Sequence, residues 1–437
     1  MKVTKIILKT IVFSLCLLAI AIGAIYVYNQ IVYGDKIPDG HKVVVCIPVY
    51  GQSLALGEQA DRITDFEEMV KQANGRILSE YLDYAFGFYD AKHIDKQGWK
   101  KFLHYRARSY ELSVYGMSEA LASILNEDTI ICVFPSGAGM SAIDVINKPC
   151  LEYSKFIAEM ENAYQKAQSR GWDFYVPAIC WMQGESDIID YTTYDYKSLL
   201  KQFQQDVEKD IKAITHQKNS IPFICYQSNV LTMASNFNPQ NYNSIETRVA
   251  QCFVDLIQND SLFWASGPTY PYSFVEEALH IDGYGQKQVG NLAAISALRI
   301  IRGEEKFRGL IPLEITSAGN NAIIHMNVPT PPLKIDTTKV KSIKNYGFSV
   351  ITKEGRDIAN SISIKGDSVI IACSQSPVDC KVRYAVNGEK MKSGYEHGPR
   401  GNLRDSQGDT KVITIKGKEY PLHNWCYQFD LPCTPNK

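Results

Sequence analysis

The sequence predicts an α/β protein, a parallel sheet with helices on both faces, followed by an all-β, sandwich-like domain. Two observations carry this. Four apolar runs, VVVCIPV, IICVFP, PAICWM and IPFICY, each end in a loop of small or polar residues and precede an amphipathic stretch of helical length. That alternation builds parallel sheets. After Arg302 helical periodicity vanishes. From Leu310 onward the runs LEITSA, AIIHMNV, FSVIT, SVIIAC, KVRYAV and KVITIKG alternate with turn signals at Gly319-Asn320, Lys365-Gly366-Asp367 and Asn387-Gly388.

Taken in order, residues 1–30 read as a membrane anchor or signal peptide. Lys2, Lys5 and Lys9 precede the uncharged stretch Thr10 to Tyr28, which at about 1.5 Å per residue reaches roughly 30 Å, a bilayer core. The small-residue sites Ala19-Ile20-Ala21 and Ile22-Gly23-Ala24 offer signal cleavage as the alternative, but the apolar run continues past both. With the lysines held inside, the rest of the chain lies outside the cytoplasmic membrane under either reading, periplasmic or extracellular. Residues 40–303 then form the α/β domain and 304–437 the β-domain. Helices are expected over Leu112 to Leu125, Leu151 to Arg170 with Gly171 as its C-cap, Tyr194 to Ile214, Ile245 to Ile257, and Tyr284 to Ile301. The segment from Asp61 to Tyr110 has no clear period and reads as an elaboration at the site's rim.

Composition excludes more than it selects. With 46 basic and 47 acidic residues the formal charge is −1, so nucleic acid is not an expected partner. Cys46, Cys132, Cys180 and Cys225 lie inside the apolar runs and read as buried strand residues. Cys373, Cys380, Cys426 and Cys433 suggest one or two disulfides in an exported protein. No CxxC pair or histidine cluster points to a metal, and no cofactor is expected.

In an open α/β sheet, ligands bind beyond the carboxyl ends of the strands. The loops there read GQSLALGE, SGAGMS, QGESD and QSN. Ser53 follows the first run beside Gly51, where a tight turn can present a hydroxyl, and a hydroxyl needs a base to become a nucleophile. His280 stands just before the last helix with Glu277 three residues upstream, a spacing at which a carboxylate can orient an imidazole. Asp282 is a second candidate acid, with helix N-cap as its alternative role.

These motifs together resemble an SGNH-type hydrolase of the carbohydrate-esterase branch that includes sialate O-acetylesterases. The resemblance covers about residues 42 to 303, and Trp181-Met182-Gln183-Gly184-Glu185-Ser186-Asp187 is its most specific element. It implies a flavodoxin-like sheet and an O-acetylated glycan substrate, with Ser53 as nucleophile, His280 as base and Glu277 as acid. Gly139 and Ser53 would give backbone N–H groups to the oxyanion. Gln183 would be the side-chain donor with Ser186 behind it, and Glu185 belongs to the same substrate-binding loop. Two residues depart from the family pattern: Leu54 stands where Asn is usual, and Glu277 where Asp is usual. The leading expectation is an exported, membrane-tethered serine esterase acting on carbohydrate O-acetyl esters. An O-acetyltransferase acting on an envelope polysaccharide and an inactive glycan-binding protein are the alternatives. The loop 397–409, with Arg400, Arg404 and Asp405, reads as either a carbohydrate-contacting loop or a solvated turn.

Overall fold

The computed structural model describes residues 40–79, 103–104, 110–241 and 245–436. The Thr10 to Tyr28 stretch and much of the segment from Asp61 to Tyr110 lie outside them. No helix among the described residues is long and apolar enough to cross a membrane.

The parallel sheet contains β1 (Val43–Cys46, continued by Val49–Gly51), β2 (Ile77–Ser79), β3 (Thr129–Cys132, then Pro135–Gly137), β4 (Asp173–Tyr175, then Ile179–Met182), β5 (Phe223–Gln227) and β6 (Phe263–Pro268). Its order is β2-β3-β1-β4-β5-β6, all parallel. The three central strands are split because Pro48 and Pro177 fall in the gaps and Pro135 opens the second segment of β3, and proline has no N–H for a ladder. Ile47 N–H to Cys132 O (2.9 Å) and Cys180 N–H to Pro48 O (3.0 Å) carry the sheet across the breaks. The chain reverses direction of assembly at β1, so the crevice at its carboxyl end is the expected ligand position.

The helices of five residues or more are α1 (Phe66–Gln72), α2 (Ser113–Ile124), α3 (Leu151–Gln168), α4 (Glu185–Ile189), α5 (Tyr196–Thr215), α6 (Arg248–Asn259) and α7 (Gly283–Ile301). Five of them fall where the apolar periodicity places helices. Apolar faces such as Leu200, Phe203, Val207 and Ile211 on α5 are buried, which is the burial that holds an amphipathic helix on a sheet. Glycine decides how closely α2 and α7 approach. A Cβ at Gly290 would lie 1.8 Å from Ser113 O, and one at Gly116 would lie 2.3 Å from Lys287 O. The sequence pattern shows the two helices but not this contact.

Beyond Arg302 the described structure is β-rich. Strands β7 (Ile311–Ala318), β8 (Asn321–Asn327), β10 (Ala359–Lys365) and β11 (Ser368–Cys373) form an antiparallel sheet in the order β10-β11-β8-β7. β9 (Phe348–Ile351), β12 (Lys381–Tyr384) and β13 (Phe429–Pro432) form another. The predicted turns at Gly319-Asn320 and Lys365-Gly366-Asp367 join the paired strands of the first sheet. No disulfide is present among the described residues: Cys373, Cys380, Cys426 and Cys433 are buried free thiols, serving as small apolar side chains.

This β-rich part grips the carboxyl end of β5. Gln227 exchanges hydrogen bonds with the Gln428 backbone (2.7 and 2.9 Å), and Tyr427 Oη donates to Cys225 O at 3.2 Å. The 397–409 loop is neither solvated nor free for sugar. Arg400 is buried and donates to the carbonyls of Lys341 and Gly398, Arg404 pairs with Asp336 at 2.7 Å, and Asp405 accepts from Thr330 N, Gln407 N and Asn424 Nδ2. Its charges are there to satisfy backbone and one another.

Candidate active site

Ser53 lies in the turn that leaves β1. The turn is narrow because β1 runs against β4: a Cβ at Gly51 would lie 1.8 Å from Met182 O, so only glycine fits there. Ala55 N–H bonds to Gln52 O, and Glu58 N–H bonds to Ser53 O at 3.0 Å, closing the turn. Leu54 does not leave a gap beside Ser53. Its side chain is buried in the core, and its carbonyl accepts from Gln286 Nε2 on α7 at 2.8 Å.

His280 comes from the opposite rim. The backbone there is pinned by Val275 N–H to His280 O (2.8 Å) and by Asp282, whose side chain caps α7 at Gly285 N (2.7 Å). Asp282 therefore takes its N-cap role. His280 Nε2 lies 2.8 Å from Ser53 Oγ, across 227 residues of sequence. The other ring nitrogen, Nδ1, is 2.7 Å from Gln59 Oε1. An amide oxygen can only accept, so the ring proton sits on Nδ1 and Nε2 is left to accept from the serine. Burial lowers the His280 pKa from 6.5 to about 4, so the imidazole is neutral at physiological pH.

Glu277 is not on that ring. Its carboxylate binds Lys392 Nζ at 2.7 Å and faces His397 at 3.7 Å, both on the loop before β13. Glu276 and Glu277 both adopt left-handed backbone, which turns the expected acid away from His280. Glu277, Glu396 and His397 bring potential metal-ligand atoms within 4.8 Å of one another, but Lys392 already occupies Glu277, and the cluster is an ion-pair network. Gln59, missed by the motif reading, takes the orienting position. It is a single polar residue in a loop, with φ +63°, and nothing in its spacing from His280 signals the contact.

The backbone N–H groups of Ser53 and Gly139 have no acceptor among the described residues. The position a Cβ on Gly139 would occupy is 3.9 Å from Ser53 Cβ, so the two loops meet at the serine. Gln183 is not available in the same way. Its Nε2 donates to Asp187 Oδ2, to Ser141 O (3.2 Å) and to Gln52 Oε1 (3.3 Å), while its Oε1 accepts from Tyr196 Oη at 2.7 Å. It instead fixes Gln52. Ser186 N–H also donates to Gln52 Oε1 at 3.3 Å, leaving Nε2 of Gln52, the residue before Ser53, with no acceptor among the described residues. Glu185 is buried and accepts from Tyr226 Oη, away from the serine, and burial raises its pKa. Asp187 is raised for the same reason, although Tyr194, Gln183 and the Ile143 N–H all donate to it.

Residues 105–299 match the family profile described as carbohydrate esterase, sialic acid-specific acetylesterase. This part of the chain is similar to the carbohydrate-esterase family. The matched span contains Gly139, Gln183 and His280, and Ser53 lies upstream of it. Among solved structures the chain is similar to a carbohydrate acetylesterase from Xanthomonas citri, at 15% identity and TM-score 0.55, with 88% of this chain and 80% of that one covered. Two further similarities are to NanS (13% identity, TM-score 0.43, 61% of this chain and 100% of that one) and to a protein from Arabidopsis thaliana (15%, 0.41, 59% and 98%). The first of the three supports the fold alone. No curated protein matches the sequence.

Proposed function

We propose that this esterase is an exported serine hydrolase that removes O-acetyl groups from carbohydrate, with Ser53 as nucleophile and His280 as base. The observation that carries the reading is the 2.8 Å contact from Ser53 Oγ to an imidazole nitrogen that can only accept, with the backbone N–H groups of Ser53 and Gly139 lacking an acceptor among the described residues. Ser53 Oγ attacks the ester carbonyl carbon and its proton passes to His280 Nε2. The carbonyl oxygen, now an anion, is held by the N–H groups of Ser53 and Gly139 and by Gln52 Nε2. When the tetrahedral intermediate collapses, the imidazolium returns the proton to the departing sugar oxygen. Water, deprotonated by the same nitrogen, then releases acetate and restores Ser53.

Gln59 has the orienting role that a carboxylate fills in the Ser-His-Asp arrangement. A neutral amide holds the ring in the right tautomer but does not stabilise the imidazolium by charge, which fits a histidine whose pKa is low. Export, with tethering through the Thr10 to Tyr28 segment, is supported by the flanking Lys2, Lys5 and Lys9. The reading is tested by treating the protein with a fluorophosphonate and mapping the label by peptide mass spectrometry. We expect labelling on Ser53 that disappears in His280→Ala. Labelling elsewhere, or none in an enzyme that releases acetate, sinks it.

A further inference from the structure

The turn that carries Ser53 holds a charge the reaction does not use. Glu58 follows Ser53 by five residues, and its N–H donates to the Ser53 carbonyl at 3.0 Å. Its neighbours Gly57 and Gln59 both have left-handed backbone, φ +70° and +63°, and a Cβ on Gly57 would lie 2.1 Å from Glu111 O. The backbone of the turn is thus packed against Glu111. Its Oε2 lies 3.2 Å from the position a Cβ on Gly139 would occupy, the same point that is 3.9 Å from Ser53 Cβ. Among the described residues the Glu58 carboxylate accepts no hydrogen bond and meets no cation. A half-buried carboxylate is therefore placed at the meeting point of the two loops that frame the serine, with no partner among the described residues.

We propose that Glu58 is a specificity-determining residue of this site: it accepts hydrogen bonds from hydroxyls of the sugar next to the scissile ester and disfavours sugars that carry a carboxylate there. The inference rests on the reading of Ser53 as nucleophile. The chemistry is that of an acceptor-only group. A carboxylate has lone pairs to offer vicinal hydroxyls and nothing to donate to a second carboxylate, and a like charge within several ångströms is repelled in a partly desolvated cleft. Discrimination of this kind comes from a repulsive element as much as an attractive one. The lack of a side chain at Gly139 leaves room for a sugar ring to reach Glu58.

The test compares kcat/KM for an O-acetylated xylo-oligosaccharide and an O-acetylated sialic acid, in the wild type and in Glu58→Gln, at low and high salt. We expect the wild type to favour the neutral sugar and Glu58→Gln to compress that preference about tenfold or more. Added salt should raise wild-type turnover of the sialic acid and leave the variant's nearly constant. An unchanged ratio in Glu58→Gln, or a wild type that prefers the sialic acid with no salt dependence, overturns the proposal. Ser53→Ala is run beside them. If it hydrolyses both esters at the wild-type rate, the nucleophile assignment fails and takes this proposal with it, an outcome distinct from an unchanged ratio.

Discussion

At the scale of single residues, the proposed chemistry turns on one imidazole and the neutral amide behind it. With the His280 pKa at about 4, the base form is already dominant at pH 5, and activity is lost only as the pH falls through the pKa. We predict an acidic limb of kcat/KM near pH 4 in the wild type. Gln59→Glu places a carboxylate on Nδ1, which favours the imidazolium, so that limb should move up toward the ordinary histidine range near 6.5. Gln59→Leu should lower kcat by about tenfold or more, since a hydrogen bond to a charged group is worth roughly 1.5–3 kcal/mol. A pH profile unmoved by Gln59→Glu removes Gln59 from the account. That Ser53 and His280 meet could be anticipated from the sequence because one sits beside a glycine turn and the other at a helix start. Gln59 was not, because a contact spanning 221 residues leaves no local trace and the eye goes to the nearer acid, Glu277.

At the scale of elements, the loops after β1, β3 and β4 act together through a hydrogen-bond chain. Asp187 on α4 fixes Gln183, Gln183 and the Ser186 N–H fix Gln52 through its Oε1, and the Gln52 amide nitrogen has no acceptor among the described residues. The account predicts that Gln52→Ala lowers kcat by about 10² to 10³, the usual cost of one oxyanion donor, with a small change in KM. Gln183→Leu should lower kcat as well, but indirectly, by freeing Gln52. It should also lower Tm, because Asp187 and Tyr196 lose a buried partner. Normal kcat in Gln52→Ala would return the donor role to Gln183. The sequence placed QGESD at the carboxyl end of a strand, and the structure has it follow Ile179–Met182. It could not show which amide faces the substrate, since that depends on which acceptors reach each nitrogen in three dimensions.

At the scale of the whole molecule, the β-rich part is a buttress for the rim of the parallel sheet. Gln227 and Gln428 exchange two hydrogen bonds, Asn229 accepts from Gly394 N at 2.8 Å and donates to Pro399 O, and Ser393 N–H reaches Glu277 O at 2.7 Å. These contacts hold the loop before His280 from outside. A chain ending after Gly303 should lose activity and show a lower Tm, since Gln227 Oε1 loses its Gln428 N–H donor and the buried Asn229 amide loses Gly394 N and Pro399 O. The change of texture after Arg302 marked where the β-rich part begins. Its hold on the site was not visible, because the bonds that make it are mostly to backbone, which every sequence carries alike. The same holds for the four C-terminal cysteines, which composition suggested as disulfides and which are packed as thiols.

The central claim is that Ser53, activated by His280, carries the acyl transfer. Steady-state acetate release from an acetylated sugar by the wild type, Ser53→Ala and a surface control such as Lys365→Ala tests it most directly. The account predicts that Ser53→Ala loses about 10⁴-fold or more in kcat while the control keeps the wild-type rate and both variants keep the wild-type Tm. Acetate release by Ser53→Ala within a few fold of the control would contradict it.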